Sequence, residues 1–225
     1  MTNKIKKDRL TKNEEDYLKA IFYLTAEQQE EKVGTNKLAE FLELSPASVN
    51  SMVKKLKGKG FLNYERYGKL ELSEDGFKIA VNLIRKHRLW ETFLYNHLNF
   101  GWDEVHEVAE QLEHIQSEKL MKELDAFLGF PGTDPHGDVI PGADGSYKIP
   151  VKKTLSEMTA GAVCKLVSVK DGSVQFLQYL TELGLELSAP IEILEKRDFD
   201  GSMSLKVNNK RVNVSKKFTQ NIYVI

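Results

Sequence analysis

Histidines and carboxylates recur at helical spacing in the middle of the chain. His87 and Glu91 are four residues apart, so they share one face of a helix. A second set falls at i, i+4, i+7 and i+8: His106, Glu110, Glu113 and His114. On a helix this second set occupies an arc of about 100°. Imidazoles and carboxylates suit a divalent transition metal, and the absence of thiolates argues against structural zinc. Two helices facing each other would therefore build a metal site.

Two other interpretations of these residues remain open. A lone His–Glu pair on a helix is usually an exposed salt bridge, although two such pairs beside His114 make that less typical. Histidine and glutamate at helical spacing also build the catalytic sites of metal-dependent hydrolases, but no separate nucleophile or general base accompanies them. His97 and His136 lie outside the pattern and are interpreted as packing or surface residues.

The N-terminal third predicts three short helices followed by a hairpin. Thr11 and Glu14 fit a capping box, and apolar residues follow at helical spacing. Ser45 before Pro46 is a typical N-cap and first helical position, and the helix that they open runs to about Lys57. A further helix is expected over 35–42, and strands over 61–65 and 69–72. Three helices and a two-stranded wing predict a winged helix-turn-helix.

The helix that begins at Pro46 is the candidate DNA-reading element. Small polar side chains near a helix N-terminus approach base edges, and lysines further along meet phosphates. The candidate DNA contacts are Ser45, Ala47, Ser48, Asn50, Ser51, Lys54 and Lys55 on this helix, with Arg66 and Lys69 in the wing. Residues 50–70 hold six basic residues and one acidic residue, a local field that favours nucleic acid. The alternative is an ordinary solvated helix face.

The rest of the chain predicts a helical middle and a β-rich end. One long helix should run from about Glu74 to His97, and another, capped by Asp103, to about Leu128. The Gly-, Pro- and Asp-rich stretch 129–145 predicts a loop and a domain boundary. Short strands alternate with turns beyond it, which favours a small β-barrel. The expected fold is mainly α with a β-rich C-terminal domain, divided into domains 1–73, 74–145 and 146–225.

Composition limits the classes of protein. Of the 225 residues, 41% are apolar and 29% charged, which is too apolar for a disordered chain. No apolar run approaches the ~20 residues that span a bilayer, and a single cysteine, Cys164, excludes an internal disulfide. The expectation is a cytoplasmic protein without a membrane partner. Net charge is +1 over 1–75, −6 over 76–145 and +4 over 146–225, so a basic patch precedes an acidic middle.

Three segments carry a family resemblance. RKHRLWETFL (85–94), VHEVAEQLEH (105–114) and PHGDVIPG (135–142), together with the winged helix, resemble the DtxR/MntR family of metal-dependent transcriptional repressors. The resemblance implies a homodimer that binds a palindromic operator in double-stranded DNA. It also implies a helical dimerisation and metal-binding domain, a C-terminal SH3-like domain, no catalytic activity and no small organic substrate.

The resemblance also implies two sets of metal ligands. One set is Asp16, Glu110, Glu113 and His114, and the other is His87, Glu91 and His106 with ligands from the SH3-like domain. In that domain Gln175 matches a ligand position, whereas Gly172 stands at the companion glutamate position, so Asp171 is the expected substitute. Iron sensors of the family typically have Met and Cys at the positions of Asp16 and Glu110. The ligand set therefore indicates Mn²⁺, with Fe²⁺ as the alternative.

Overall fold

The structure is a computed structural model that describes residues 10–28, 32–64, 68–148, 152–170 and 172–225. These residues divide into two compact units, Met1–Lys86 with Pro141–Ile149, and His87–Ile140 with Pro150–Ile225. No helix within the described ranges is long and apolar enough to cross a membrane.

The first unit contains the predicted helices and wing. Its first helix ends in a π-helical turn, Tyr23–Glu27, and the two strands of the wing pair antiparallel. The element bounds are α1 Lys12–Phe22, α2 Thr35–Phe41, α3 Pro46–Gly58, β1 Leu62–Tyr64 and β2 Leu70–Leu72. The winged helix-turn-helix is therefore confirmed, although residues 65–67 lie outside the described residues.

The helix starts of the first unit follow the predicted capping chemistry. Thr11 Oγ1 accepts a hydrogen bond from the Glu14 N–H, and Glu14 Oε2 accepts one from the Thr11 N–H. Ser45 Oγ accepts from the Ser48 N–H, and Pro46 occupies the first turn of α3. Both starts satisfy amide groups that have no partner within the helix.

A single apolar core holds these helices together. Its fully buried side chains include Leu18 and Phe22 from α1, Leu38 from α2 and Leu56 from α3. Burial of the apolar face of α3 leaves its opposite face in solvent, as the sequence predicts.

Helix α4, Glu74–Leu98, is as long as expected, but the helix predicted from Asp103 to about Leu128 is wrong. The structure has two helices there, α5 Val105–Leu112 and α6 Glu118–Phe127. Ser117 Oγ accepts from the Leu120 N–H and starts α6 after a short turn. The residue before α5 is Glu104, which makes no side-chain capping bond, so Asp103 is not the cap.

The C-terminal part forms a six-stranded antiparallel sheet in the order β3-β8-β4-β5-β6-β7. Its strands are β3 Lys153–Thr154, β4 Val163–Val169, β5 Pro190–Lys196, β6 Met203–Val207, β7 Lys210–Val214 and β8 Ile222–Val224. Two helices that the sequence did not predict, α7 Val174–Glu182 and α8 Lys216–Gln220, contribute Leu177, Leu180 and Phe218 to the core of this domain.

Candidate metal centre

Helices α4 and α5 bring His87, Glu91 and His106 together. His87 Nε2 lies 2.9 Å from Glu91 Oε1 and 3.1 Å from His106 Nδ1, and His106 Nδ1 lies 3.3 Å from the same Glu91 oxygen. His87 also contacts Glu113, with 2.5 Å between Nδ1 and Oε2. Because His87 contacts Glu113 while Glu91 contacts His106, the two helices run in opposite directions.

Of the other predicted ligands, Glu110, Glu113 and His114 lie on α5 or directly after it, and Asp16 lies on α1. Glu113 follows α5 as its C-cap and is buried, and its Oε1 lies 3.8 Å from His114 Nε2. Glu110 is exposed on α5 and lies 3.4 Å from His106 Nε2. Asp16 is half-buried on α1 in the first unit.

A second cluster contains two residues that sequence reasoning did not select. Asp134 and His136, from the loop after α6, lie beside Glu91, and all three residues are buried. His136 Nδ1 is 3.7 Å from Glu91 Oε2, so Glu91 faces both clusters with its two oxygens. Helical spacing gave no signal for this cluster, because its loop residues follow no period and lie more than forty residues from Glu91.

The loop is held in place by charged and backbone contacts. Asp134 Oδ1 accepts from the backbone N–H groups of His136 and Asp138, at 2.8 and 3.0 Å. Arg88 Nε lies 3.4 Å from Asp134 Oδ2, and its Nη1 donates to the Val139 carbonyl at 2.6 Å. Lys152 Nζ donates to Asp138 Oδ1 at 2.7 Å and ties the loop to the C-terminal domain. These contacts fix the positions of both loop side chains.

Burial and mutual charge shift the acid–base equilibria of both clusters. Burial disfavours the charged form of Glu91, but the imidazoles of His87, His106 and His136 outweigh it and hold the pKa of that carboxyl well below its usual range. Hydrogen bonds to Glu110 and Glu91 raise the pKa of His106 to about 9. Burial, together with the charges of Glu91 and Asp138, raises the pKa of Asp134 to about 8.

The tautomer of His136 is set by a backbone carbonyl. His136 Nε2 lies 2.6 Å from the carbonyl oxygen of Trp102, which can only accept a hydrogen bond, so Nε2 carries a proton. The other ring nitrogen, Nδ1, is the one that faces Glu91. Metal-binding imidazoles are commonly held by a carbonyl in this way. The donor atoms of each cluster lie within 4.8 Å of one another and are all nitrogen or oxygen, which fits a divalent ion such as Mn²⁺ or Fe²⁺.

Of the two C-terminal ligand candidates, the structure describes only Gln175, and it does not bring this residue into either cluster. Gln175 lies in the first turn of α7 with its side chain exposed. Asp171 lies outside the described residues. The contacts that α7 makes with the helical part come instead from Gln178, whose Nε2 donates to Asp103 Oδ2 at 3.1 Å, and from Thr181.

The candidate DNA face on α3 is exposed along its length. The exposed residues are Ser45, Ala47, Ser48, Asn50, Ser51, Lys54 and Lys55. Lys55 and Lys59 also contact Glu14 Oε1, at 3.1 and 2.7 Å. Burial opposes ionisation of Glu14, but Lys59, the Thr11 amide and Lys55 outweigh it and lower the pKa of Glu14 to about 2. In the wing, Lys69 lies 2.7 Å from Glu71, and Arg66 is outside the described residues.

Three family models match successive parts of the chain. They are the N-terminal DNA binding domain of the iron dependent repressors over residues 9–70, their metal binding and dimerisation domain over 73–142, and the FeoA domain over 153–225. Among curated proteins, the chain is 35% identical over 137 residues to the iron-dependent repressor IdeR of Mycobacterium tuberculosis. That match covers 60% of this chain and 58% of IdeR, so it spans less than two thirds of that protein.

Solved structures match over nearly the whole chain. A manganese-dependent transcriptional repressor in complex with manganese is 36% identical, with a TM-score of 0.86 over 94% of this chain and 99% of that chain. ScaR with bound Zn²⁺ is 33% identical, with a TM-score of 0.81 over 95% of this chain and 99% of that chain. Both matches therefore extend over nearly the full length of this chain and of the solved chains.

Proposed function

The chain belongs to the DtxR/MntR family of metal-dependent transcriptional repressors, and we propose that it represses transcription as a homodimer that binds operator DNA when Mn²⁺ occupies its clusters. The observation that carries this proposal is Glu91, a buried carboxylate whose two oxygens face histidines of two different clusters. A buried carboxylate surrounded by imidazoles offers oxygen and nitrogen donors that can bind a divalent cation. We propose that the protein binds its operator in the cytoplasm.

In the proposed mechanism, the metal acts on the position of the DNA-binding helices and does not contact DNA. Following the family resemblance, Asp16 on α1 and the set Glu110, Glu113 and His114 bind one ion. Without the ion, the three carboxylates repel one another. If these four residues held a divalent cation, its charge would offset the repulsion among the three carboxylates, and Asp16 would restrain α1, which would favour the arrangement in which both recognition helices fit one operator. Dimeric helix-turn-helix proteins read half-sites about 34 Å apart, so the spacing of the two helices decides affinity.

The homodimer is supported by an aromatic patch on the second unit. Phe127 and Phe130 are 63% and 71% exposed, and Tyr95 and Leu98 at the end of α4 are also exposed. The Phe127 ring lies 4.8 Å from the His97 ring, centroid to centroid. Exposed apolar groups this large are typical of protein interfaces, and we propose that a second copy of the chain covers them.

Mn²⁺ is proposed over Fe²⁺ because the candidate ligands contain no sulfur. Oxygen and nitrogen donors suit Mn²⁺, whereas softer thiolate and thioether donors favour other metals. Fe²⁺ remains the second candidate, since IdeR is named an iron-dependent repressor.

The test is fluorescence anisotropy of labelled DNA from the promoter region of the protein's own gene. The protein is titrated in chelator, then in Mn²⁺, then in Fe²⁺ without oxygen. We expect tight binding only with metal, and the metal that gives the stronger binding identifies the sensor. Glu91→Gln should lose metal-dependent binding, whereas Glu107→Gln, an equal change at an exposed position on α5, should retain it. Equal binding in chelator and in metal would refute the proposal.

A further inference from the structure

We propose that Trp102 is a positioning residue through which the C-terminal domain sets the metal affinity of the Glu91–Asp134–His136 cluster. Trp102 lies in the segment between α4 and α5 and makes different contacts through its side chain and its main chain. The inference rests on the proposed metal dependence and concerns how one cluster is regulated.

The side chain of Trp102 is anchored in the C-terminal domain. Its Nε1–H donates to Thr181 Oγ1 on α7 at 3.0 Å, and its ring packs against the apolar core of that domain. The neighbouring Asp103 accepts the hydrogen bond from Gln178, also on α7, so two consecutive residues hold the segment to the same helix. A tryptophan with its indole N–H paired in this way adopts one orientation.

The main chain of Trp102 is bound to the cluster. Its carbonyl accepts from His136 Nε2 at 2.6 Å, and the two rings are stacked, with 6.2 Å between centroids and an interplanar angle of 18°. The carbonyl therefore fixes both the tautomer and the ring plane of His136, and with them the direction of Nδ1. A shift of Trp102 would turn Nδ1 away from Glu91.

These contacts form a continuous connection from α7 to a candidate metal ligand. Thr181 positions the Trp102 indole, the indole fixes the carbonyl of the same residue, and the carbonyl orients the His136 imidazole. Loss of an outer partner of a ligating histidine typically weakens metal binding by about 10- to 100-fold. Thr181 contacts His136 only through Trp102, so removal of its hydroxyl should have a smaller effect than loss of a direct partner of His136. We expect the affinity for Mn²⁺ to fall about 3- to 10-fold.

The experiment measures Mn²⁺ affinity of the full chain from the electron paramagnetic resonance signal of free Mn²⁺. Thr181→Val removes the acceptor of the Trp102 N–H and keeps the side-chain shape. Thr219→Val is the control for loss of a threonine hydroxyl in the same domain, because among the described residues the Thr219 hydroxyl donates to the Lys216 carbonyl of its own helix, α8. We expect Thr181→Val to weaken one class of Mn²⁺ sites and Thr219→Val to leave every class unchanged, with thermal unfolding recorded for both.

A spectroscopic readout separates positioning from a general loss of stability. The chain has two tryptophans, so in Trp90→Phe the emission comes from Trp102 alone. We expect that emission to change as Mn²⁺ binds, and the change to disappear when His136→Ala is added. The inference would be overturned if Thr181→Val and Thr219→Val bound Mn²⁺ with equal affinity, or if the Trp102 emission of Trp90→Phe did not change when Mn²⁺ was added. Either result would leave the repressor proposal intact. No Mn²⁺ binding by the wild-type protein would overturn both.

Discussion

Replacement of Gly137 by alanine tests whether the loop that carries Asp134 and His136 is seated on the C-terminal sheet. Gly137 has a φ of +82°, and a Cβ added there would lie 1.7 Å from the carbonyl oxygen of Val167 in β4. Two such atoms cannot approach that closely, so the loop and the strand would have to separate by more than an ångström. Gly137→Ala should therefore destabilise the second unit and disturb the candidate metal cluster of Glu91, Asp134 and His136.

The expected magnitude has two parts. An L-residue held at positive φ costs about 1–2 kcal/mol. Forcing additional atoms into a packed contact costs about 1–3 kcal/mol more. Gly137→Ala should thus lower the free energy of unfolding by about 2–5 kcal/mol. Gly161 separates the two parts, because its φ is +84° and an added Cβ would meet nothing within 4 Å. Gly161→Ala should cost only the first part.

The assay is urea-induced unfolding followed by tryptophan fluorescence, since Trp90 and Trp102 both lie in the second unit. Mn²⁺ affinity of the folded variants is the second readout. We expect Gly137→Ala to lose more stability than Gly161→Ala and to bind Mn²⁺ more weakly. Equal destabilisation by the two substitutions would show that the close approach to Val167 does not constrain the loop.

Three further substitutions test other parts of the molecule. Asp16→Ala should abolish metal-dependent operator binding and leave a folded dimer, and normal binding of the variant in Mn²⁺ would rule out a role for Asp16. Glu14→Gln removes ion pairs with two lysines of α3. Because the pKa of Glu14 falls from 4.5 to about 2 on folding, its stabilising effect is complete above about pH 4.5 and is lost as the pH falls towards 2. Unfolding curves of Glu14→Gln and wild type should accordingly differ at about pH 6 and converge towards about pH 2, and a constant difference would contradict the pKa shift. Phe127→Glu should weaken dimerisation at least about tenfold in analytical ultracentrifugation, because burying an unpaired charge costs several kcal/mol. Phe199→Glu, at a fully exposed phenylalanine of the C-terminal domain, is its control, and equal effects would place the interface elsewhere.

Local chemistry made much of the fold predictable. The Thr11–Glu14 capping box and the Ser45–Pro46 start are recognisable because each involves residues at most three apart. The pairs His87–Glu91 and His106–Glu110 were found for the same reason, since a helix brings residues four apart onto one face. Whether these pairs bind metal stays a prediction.

The break between α5 and α6 was not predictable from periodicity. Apolar residues on both sides of the break, such as Val108, Leu112 and Met121, pack into the same cluster, so the pattern continues across the turn. Only the capping side chain of Ser117 marks the new start. Helix α7 was missed because its residues lie between strands in a segment interpreted as a small barrel.

Asp134 and His136 were missed because their position depends on the folded chain as a whole. Arg88 and Lys152, which are 64 residues apart in the sequence, contact the carboxylates of that loop. Such contacts leave no period in the sequence. The segment 135–142 contributed to the family resemblance, but the Gly- and Pro-rich composition of the loop indicated a connection between domains and no ligand.

The donor chemistry of the clusters has a consequence for oxidative stress. Hydrogen peroxide attacks thiolates directly, whereas the candidate ligands here are imidazoles and carboxylates, with which peroxide alone does not react. The only cysteine of the chain, Cys164, is 3% exposed on β4, and burial raises the pKa of its thiol, so it stays protonated and unreactive. A Mn²⁺ sensor built in this way would keep its ligands intact in a cell exposed to peroxide, the condition in which a thiolate-ligated sensor would be damaged.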